Sequence, residues 1–140
     1  MKKLILRSIF VFILCANSYA QRGKTGDKTF SDRFPEDVIQ EYTKTYLRVF
    51  NETDHDIIVL VRGQNDEYLR HVYIRSNDFW TMRDLPITRF YVQFKNREFY
   101  FEDFGRTVMN FADKHSFYFY YNPQKEHQYK KITEEEFFRS

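Results

Sequence analysis

Residues 67–95 read EYLRHVYIRSNDFWTMRDLPITRFYVQFK, and the rest of the chain can be understood outward from this stretch. It holds three short runs rich in Tyr, Phe, Val and Ile, divided by SND at 76–78 and by LPIT at 85–88. Runs of this kind between turn-forming residues are typical of an antiparallel strand meander. In the last run Phe90, Val92 and Phe94 alternate with polar or amphipathic residues, which predicts one apolar face. The stretch predicts a β-domain, but it indicates no reaction and no named ligand.

The first twenty residues have the pattern of a secretory signal peptide. Basic residues stand at positions 2, 3 and 7, an apolar run covers 9–16, and the small residues Ser18 and Ala20 end the segment. The apolar run is far shorter than the roughly 20 residues of a membrane span. Lipidation at Cys15 is disfavoured because Leu14, rather than a small residue, precedes it. We expect cleavage after Ala20 and a periplasmic or secreted chain without a stable membrane span.

Removal of this leader changes the charge of the chain. The leader holds three of the 22 basic residues and none of the 20 acidic ones, so residues 21–140 carry 19 basic and 20 acidic side chains, near −1. Charges of both signs are interspersed, without the basic stripe of a nucleic-acid-binding protein. The single cysteine leaves with the leader. The mature chain is therefore expected to bind no nucleic acid and to fold by packing alone, without disulfides.

The remaining residues are sufficient for one domain. Residues 21–44 are polar at first and predict a flexible lead-in with a short helix near 35–42, which Pro35 and the acidic residues after it favour. Residues 45–140 predict the folded domain. The run from Ile57 to Val61 is apolar on both faces and indicates a central strand that is covered on both sides. Seven or eight short strands without alternating helices predict an all-β, antiparallel β-sandwich of about seven strands.

The second half of the chain is less regular. We expect a loop with helical character around 108–112, a β-prone run at 117–121, and a last edge strand at 128–133 that Lys130 and Lys131 protect from edge pairing. The run EEE at 134–136 predicts a solvated tail, which Phe137 and Phe138 pin to the domain.

Three motifs resemble small secreted bacterial β-sandwich domains. The first is YIRSNDFWTM at 73–82, the second is DLP at 84–86 with FYV at 90–92, and the third is KITEEEF at 131–137. Within the second, Leu85-Pro86 with Tyr91-Val92 is shared more loosely with carboxypeptidase-regulatory-like and transthyretin-like sandwiches. The resemblance covers about residues 45–140 and implies the sandwich fold. It implies no activity, because these motifs mark strands and turns rather than a site.

The residues that usually carry catalysis do not form a recognisable set. No two of the four histidines have the spacing of metal ligands, and no mature cysteine supports them. The cluster Asp54-His55-Asp56 falls in a predicted hairpin turn, where Asp is common for local reasons. Neither a Gly-x-Ser-x-Gly motif nor a glycine-rich phosphate loop is present. We predict no catalytic residue, no metal site and no cofactor.

The predicted functional surface is the second face of the sheets. Tyrosine with Arg and Gln on an exposed strand is good contact material for protein or carbohydrate. The candidate binding residues are Tyr91, Arg89, Gln93, Tyr100, Tyr118, Tyr120 and Trp80. The alternative is that these rings line the inner surface of the second sheet or are covered by the N-terminal segment.

Three functions follow in order of preference. The first is an exported, non-catalytic interaction or accessory module at the cell envelope, with another envelope or extracellular protein as its partner. The second is a carbohydrate-binding module in which Trp80 and the tyrosines stack on a glycan, and the last is a hydrolase.

Overall fold

The structure is a computed structural model that describes residues 22–122, 124–125 and 128–140. The predicted signal peptide lies outside the described residues. The strands are β1 (Tyr46–Asn51), β2 (Ile57–Arg62), β3 (Tyr68–Ile74), β4 (Asp78–Arg83), β5 (Thr88–Lys95), β6 (Tyr100–Glu102), β7 (Thr107–Met109), β8 (Lys114–Phe119) and β9 (Lys130–Lys131). A 3-10 helix at Glu41–Thr43 precedes β1, and one short α-helix, α1 (Glu134–Phe137), follows β9.

The strands form two sheets, which confirms the predicted all-β sandwich. One sheet has three strands in the order β4-β1-β8, and the other has the order β3-β2-β5-β6-β9 with β7 also paired to β5. Neighbouring strands are antiparallel except for β1 and β8, which are parallel. This one departure joins strands more than sixty residues apart, and a parallel pair of that kind needs a long crossover rather than a hairpin.

The main core lies between the two sheets. Strands of both sheets contribute alternate residues to it, among them Leu47 and Val49 of β1 and Val59 and Val61 of β2, all 1% exposed or less. The other face of β2, with Ile58 and Leu60, is also buried. The prediction of a central strand covered on both sides is therefore confirmed, and the second cover must come from outside the two sheets.

That second cover consists of the two chain ends. Phe34 of the N-terminal segment and Phe137 and Phe138 of the C-terminal end pack with Ile58 and Leu60 on the outer face of the larger sheet. Thr133 is the N-cap of α1, and its side chain accepts a hydrogen bond from the Glu136 amide at 3.1 Å. The expected pinning of the tail by its two phenylalanines is confirmed, and the molecule has three layers rather than two.

The N-terminal segment differs from the expected flexible lead-in. The Arg22 guanidinium makes two bonds of 2.6 Å to the Asp56 carboxylate, and the Gly26 amide donates to the Tyr73 carbonyl at 2.8 Å. These contacts place the segment along the outer edge strand β3. The helix expected near 35–42 is reduced to the 3-10 turn at Glu41–Thr43.

The irregular region also differs from expectation. Residues 107–109 form β7 on β5, and β8 begins at Lys114 rather than at 117. A tight turn with Ala112 at φ 59° separates the two strands, so the expected helical character does not occur. At the far end, β9 forms the edge of the larger sheet at Lys130 and Lys131, as expected for a strand protected by charge.

Candidate functional site

Two of the three candidate binding residues on β5, Tyr91 and Gln93, are buried. Tyr91 is only 3% exposed, and its hydroxyl donates to Asp66 at 2.6 Å. Gln93 is fully buried, where it accepts from the Arg62 Nε at 2.9 Å and donates to Glu102 at 2.8 Å. The expectation that Tyr91 and Gln93 form a contact surface is wrong, because both side chains are buried and hydrogen-bonded inside the protein, Gln93 to the buried Arg62. Arg89, at the start of β5, is exposed.

Tyr100 and Trp80 contribute to contacts within the molecule. The Tyr100 ring lies 5.5 Å from the Phe137 ring, as part of the C-terminal cover. Trp80 is 40% exposed and lies over Gly26, where an added Cβ would come within 2.7 Å of the indole ring. Gly26 also has φ 99°, a conformation that favours glycine. The N-terminal segment therefore passes over the tryptophan that the glycan hypothesis needs.

Tyr118 and Tyr120 are exposed, as predicted from their alternation with Phe117 and Phe119. Tyr120 is 40% exposed, and its carbonyl accepts from the Tyr129 hydroxyl at 3.2 Å. Tyr118 is 49% exposed and lies on the outer face of the three-stranded sheet. Of the predicted residues, Tyr118 is the one that belongs to a larger exposed constellation.

This constellation arises from the register of β1 with its two neighbours. Since Leu47 and Val49 point into the core, the intervening residues of β1 point outward, and their cross-strand partners share that face. We call this surface the aromatic–cationic face. Its nine positions are Tyr46, Arg48 and Phe50 of β1, Phe79, Thr81 and Arg83 of β4, and Lys114, Ser116 and Tyr118 of β8.

The face carries three cations and no carboxylate among these nine positions. The charged groups of Arg48, Arg83 and Lys114 all lie within 6 Å of the centre of the Tyr46 ring, at 5.3, 5.7 and 5.7 Å. Cation–π attraction at such distances is favourable but small at an exposed site. The three positive charges are therefore held together without neutralisation by an acid on the same face.

The aromatic row at the other end of the face has a defined orientation. The Phe50 and Tyr118 rings lie 4.6 Å apart with 5° between their planes, and Phe79 lies 5.4 Å from Phe50 on the other side. Because the separation equals the spacing of adjacent strands, the rings are stacked along the sheet and present their edges to solvent. Ring edges carry partial positive charge. The face therefore combines three cations with ring edges whose partial charge has the same sign.

Within the part of the chain that the structure describes, His71 and His115 have separate surroundings and form no catalytic constellation. The His71 ring is buried, with Nδ1 2.6 Å from the Tyr68 hydroxyl and Nε2 accepting the Phe30 amide at 3.3 Å. The His115 Nε2 lies 3.1 Å from the Val108 carbonyl and 3.7 Å from Asp113. Within the described residues there is no group of three or more His, Cys, Asp or Glu side chains that could hold a metal ion.

The strongest electrostatic cluster holds the N-terminal segment in place. Asp56 accepts from Arg22, from the Tyr73 hydroxyl and from the Ser76 amide at 2.9 Å. Its hydrogen bonds to Arg22 hold the pKa of the Asp56 carboxyl well below its usual range. A second cluster pairs Lys28 with Asp37 at 2.6 Å. Both clusters use all their charges in internal contacts, so neither is an open site.

Two exposed features were missed from the sequence. The first is the aromatic–cationic face. Its residues on β1 and β4 could have been found from the alternation YxRxF at 46–50 and FxTxR at 79–83, once the two strands are paired.

The second is a group of exposed apolar side chains at one end of the sandwich, on segments that backbone hydrogen bonds join. It comprises Ile39, Tyr42, Ile87, Val108 and Phe111. Their positions in separate loops give no periodic signal.

No protein-family model, curated protein or solved structure matches this chain. The resemblance of residues 45–140 to small secreted bacterial sandwiches therefore stays a prediction. In the part of the chain that the structure describes, neither helix has the length and apolar content of a membrane crossing.

Proposed function

We propose that this protein is an exported, non-catalytic interaction module at the cell envelope, and that its aromatic–cationic face binds an acidic protein. The observation that carries the proposal is the clustering of Arg48, Arg83 and Lys114 around one tyrosine, with no acid among the nine face positions. The export part rests on the leader pattern of residues 1–20.

The chemistry of the face favours carboxylates as the bound groups. Guanidinium groups bind carboxylates through paired hydrogen bonds, and the positive ring edges of Phe50 and Tyr118 add attraction of the same sign. Aromatic and arginine side chains are also the residues that most often contribute strongly to protein interfaces. An acidic polypeptide surface meets all three features.

A glycan partner has less support from the same geometry. Sugars stack on the faces of aromatic rings, whereas Phe50 and Tyr118 present edges because they stack on each other. Trp80 lies on the other side of β4, against Gly26. The stacked rings of this face therefore support a carbohydrate platform less than they support an acidic partner.

The test is titration of residues 21–140 with fluorescent poly-L-glutamate at low salt, followed by anisotropy. We expect binding that weakens with added salt, and at least a tenfold loss of affinity in the double variant Arg48→Glu, Arg83→Glu. The matched control is Lys130→Glu, Lys131→Glu, which reverses the same number of charges on β9, in the other sheet. An equal loss in both variants would show dependence on net charge alone and would contradict the proposed site.

A further inference from the structure

Among the described residues, the β8 edge of the three-stranded sheet has backbone groups without a hydrogen-bond partner. In the sheet order, β8 has β1 as its single neighbour among the described residues. The Tyr46 amide donates to the Asp113 carbonyl at 3.1 Å, and the Glu52 amide donates to the Phe119 carbonyl at 2.8 Å. In a parallel ladder, alternate residues of one strand bond to the same neighbour. The bonds at the two ends therefore show that the odd-numbered residues of β8 direct their amides and carbonyls toward β1. The amides and carbonyls of Lys114, Ser116 and Tyr118 therefore point away from the sheet.

The backbone just beyond the C-terminal end of β8 has a hydrogen-bond partner, whereas the outward groups of β8 itself have none among the described residues. Beyond β8, the Tyr129 hydroxyl bonds both the amide and the carbonyl of Tyr120, at 3.5 and 3.2 Å. In the described part of the chain, no comparable partner meets the backbone of residues 114, 116 and 118. A row of outward amide and carbonyl groups of this kind is a template for pairing with another strand.

An open cleft lies beside the same edge, between β8 and the larger sheet. Phe90, Val92 and Phe117 supply apolar side chains to it, and Asp103 and Thr107 supply polar ones. A strand added to β8 would place alternate side chains in this cleft and the others beside Lys114, Ser116 and Tyr118 on the aromatic–cationic face. The position therefore offers backbone pairing, an apolar contact and a cationic contact to one extended segment.

We propose that the acidic partner binds as an extended strand that adds to β8, with acidic side chains toward the aromatic–cationic face and apolar ones toward the cleft. This inference rests on the proposed function and specifies the binding mode at that face. The occupant is a segment of another polypeptide, because the positive face selects carboxylates, whereas a second copy of β8 would bring another lysine to it. Strand addition draws affinity from the main chain and specificity from alternate side chains.

The experiment uses residues 21–140 and a fluorescein-labelled peptide, Glu-Val-Glu-Val-Glu-Val-Glu, with its lysine analogue as a charge control. Ser116→Pro removes the one outward amide at the centre of the edge, and the native ladder to β1 does not use that amide. Proline is tolerated in edge strands at such positions. Ser116→Ala removes the same hydroxyl but keeps the amide. We expect at least a tenfold loss of affinity for Ser116→Pro, less than a twofold change for Ser116→Ala, and no binding of the lysine analogue.

Amide hydrogen exchange of the wild-type protein gives a readout that needs no variant. The amides of Ser116 and Tyr118 should exchange quickly in the unbound protein and become protected when the peptide binds. Binding that survives Ser116→Pro but is lost in Arg48→Glu, Arg83→Glu would overturn strand addition and leave the proposed function intact. Binding unaffected by either variant, or no binding at all, would overturn both. Self-association that Ser116→Pro abolishes would identify a second copy as the occupant and would overturn the proposed one.

Discussion

Arg62 shows how a buried residue on one strand affects which residues of the neighbouring strand are buried. Its guanidinium is fully buried and donates to Gln93 and to the carbonyls of Asp66, Phe137 and Arg139, at 2.9, 2.9, 2.8 and 2.6 Å. Burial lowers the pKa of Arg62, but neutral oxygens satisfy its donors. The alternation on β5 correctly predicted two faces. The alternation could not show that the polar face of β5 is buried, because Arg62, which needs the oxygen of Gln93 as an acceptor, lies on β2.

His71 provides a prediction on pH dependence. Its Nε2 accepts the Phe30 amide, so its proton lies on Nδ1 toward the Tyr68 hydroxyl, which donates to Asp37 at 2.5 Å. Burial, with a smaller contribution from the Lys28 charge, lowers the pKa of His71 to about 4 from 6.5. Protonation would remove the acceptor for Phe30 and place a second cation beside Lys28.

The direction of the pH effect follows from the protonation of His71 in the unfolded and folded states. Between pH 6.5 and 4 the unfolded chain binds a proton at His71 that the folded protein excludes, so stability falls as pH falls through that window. The full effect is about 3 kcal/mol. Urea unfolding at pH 7 and pH 4.5 should show this loss, and His71→Gln should reduce it. Asp56, with its lowered pKa, acts at lower pH, and Asp103, whose pKa burial raises, acts in the opposite direction. An equal pH dependence in His71→Gln would assign the effect to another group.

The short elements at the chain ends were harder to predict than the central strands. The strands from β2 to β5 follow local alternation and turn residues, and Asn77 and Asp84 take positive φ in the turns after β3 and β4. In contrast, α1 spans four residues, and helices that short depend on tertiary packing. Whether such a short helix is buried depends on aromatic rings elsewhere in the chain, such as Phe34. Similarly, pairing Phe79 with Phe50 and Tyr118 depends on a three-strand register that no single run reveals.

Phe137 is the residue on which α1 depends. It is fully buried, and its ring lies 5.5 Å from Tyr100 and 6.1 Å from Phe34. Phe137→Ala should destabilise the fold by about 3 kcal/mol, the usual scale for loss of a buried phenylalanine. The control in the same helix is Glu135→Ala, at an exposed position, which should change stability by less than about 0.5 kcal/mol. Urea denaturation measures both, and similar small values would mean that α1 is only loosely attached.

At the scale of the whole molecule, the two chain ends form one layer. Phe34 and Phe138 stack with ring centres 5.4 Å apart, Phe30 meets Phe138 at 5.1 Å, and the Arg33 guanidinium lies 3.5 Å from the Phe138 ring centre. Backbone hydrogen bonds join Gly26 and Asp27 to Tyr73 of β3, and Arg22 bonds Asp56. The N-terminal segment therefore covers one face of the larger sheet and pairs with its edge. The smaller sheet has no such cover among the described residues, which leaves the aromatic–cationic face exposed.

This arrangement predicts energetic coupling between the two ends of the chain. Phe34→Ala and Phe138→Ala each remove a nearly buried ring, 7% and 8% exposed, and each should cost about 3 kcal/mol. Because the rings contact each other, the double variant should lose about 1 kcal/mol less than the sum of the two single variants. The control pair is Phe34→Ala with Met109→Ala, whose methionine lies in the separate inter-sheet core, and these two effects should add. Urea unfolding of all five variants measures both cycles. Additive losses for Phe34 and Phe138 would mean that each chain end binds the sheet independently, and the cover would then be two elements rather than one layer.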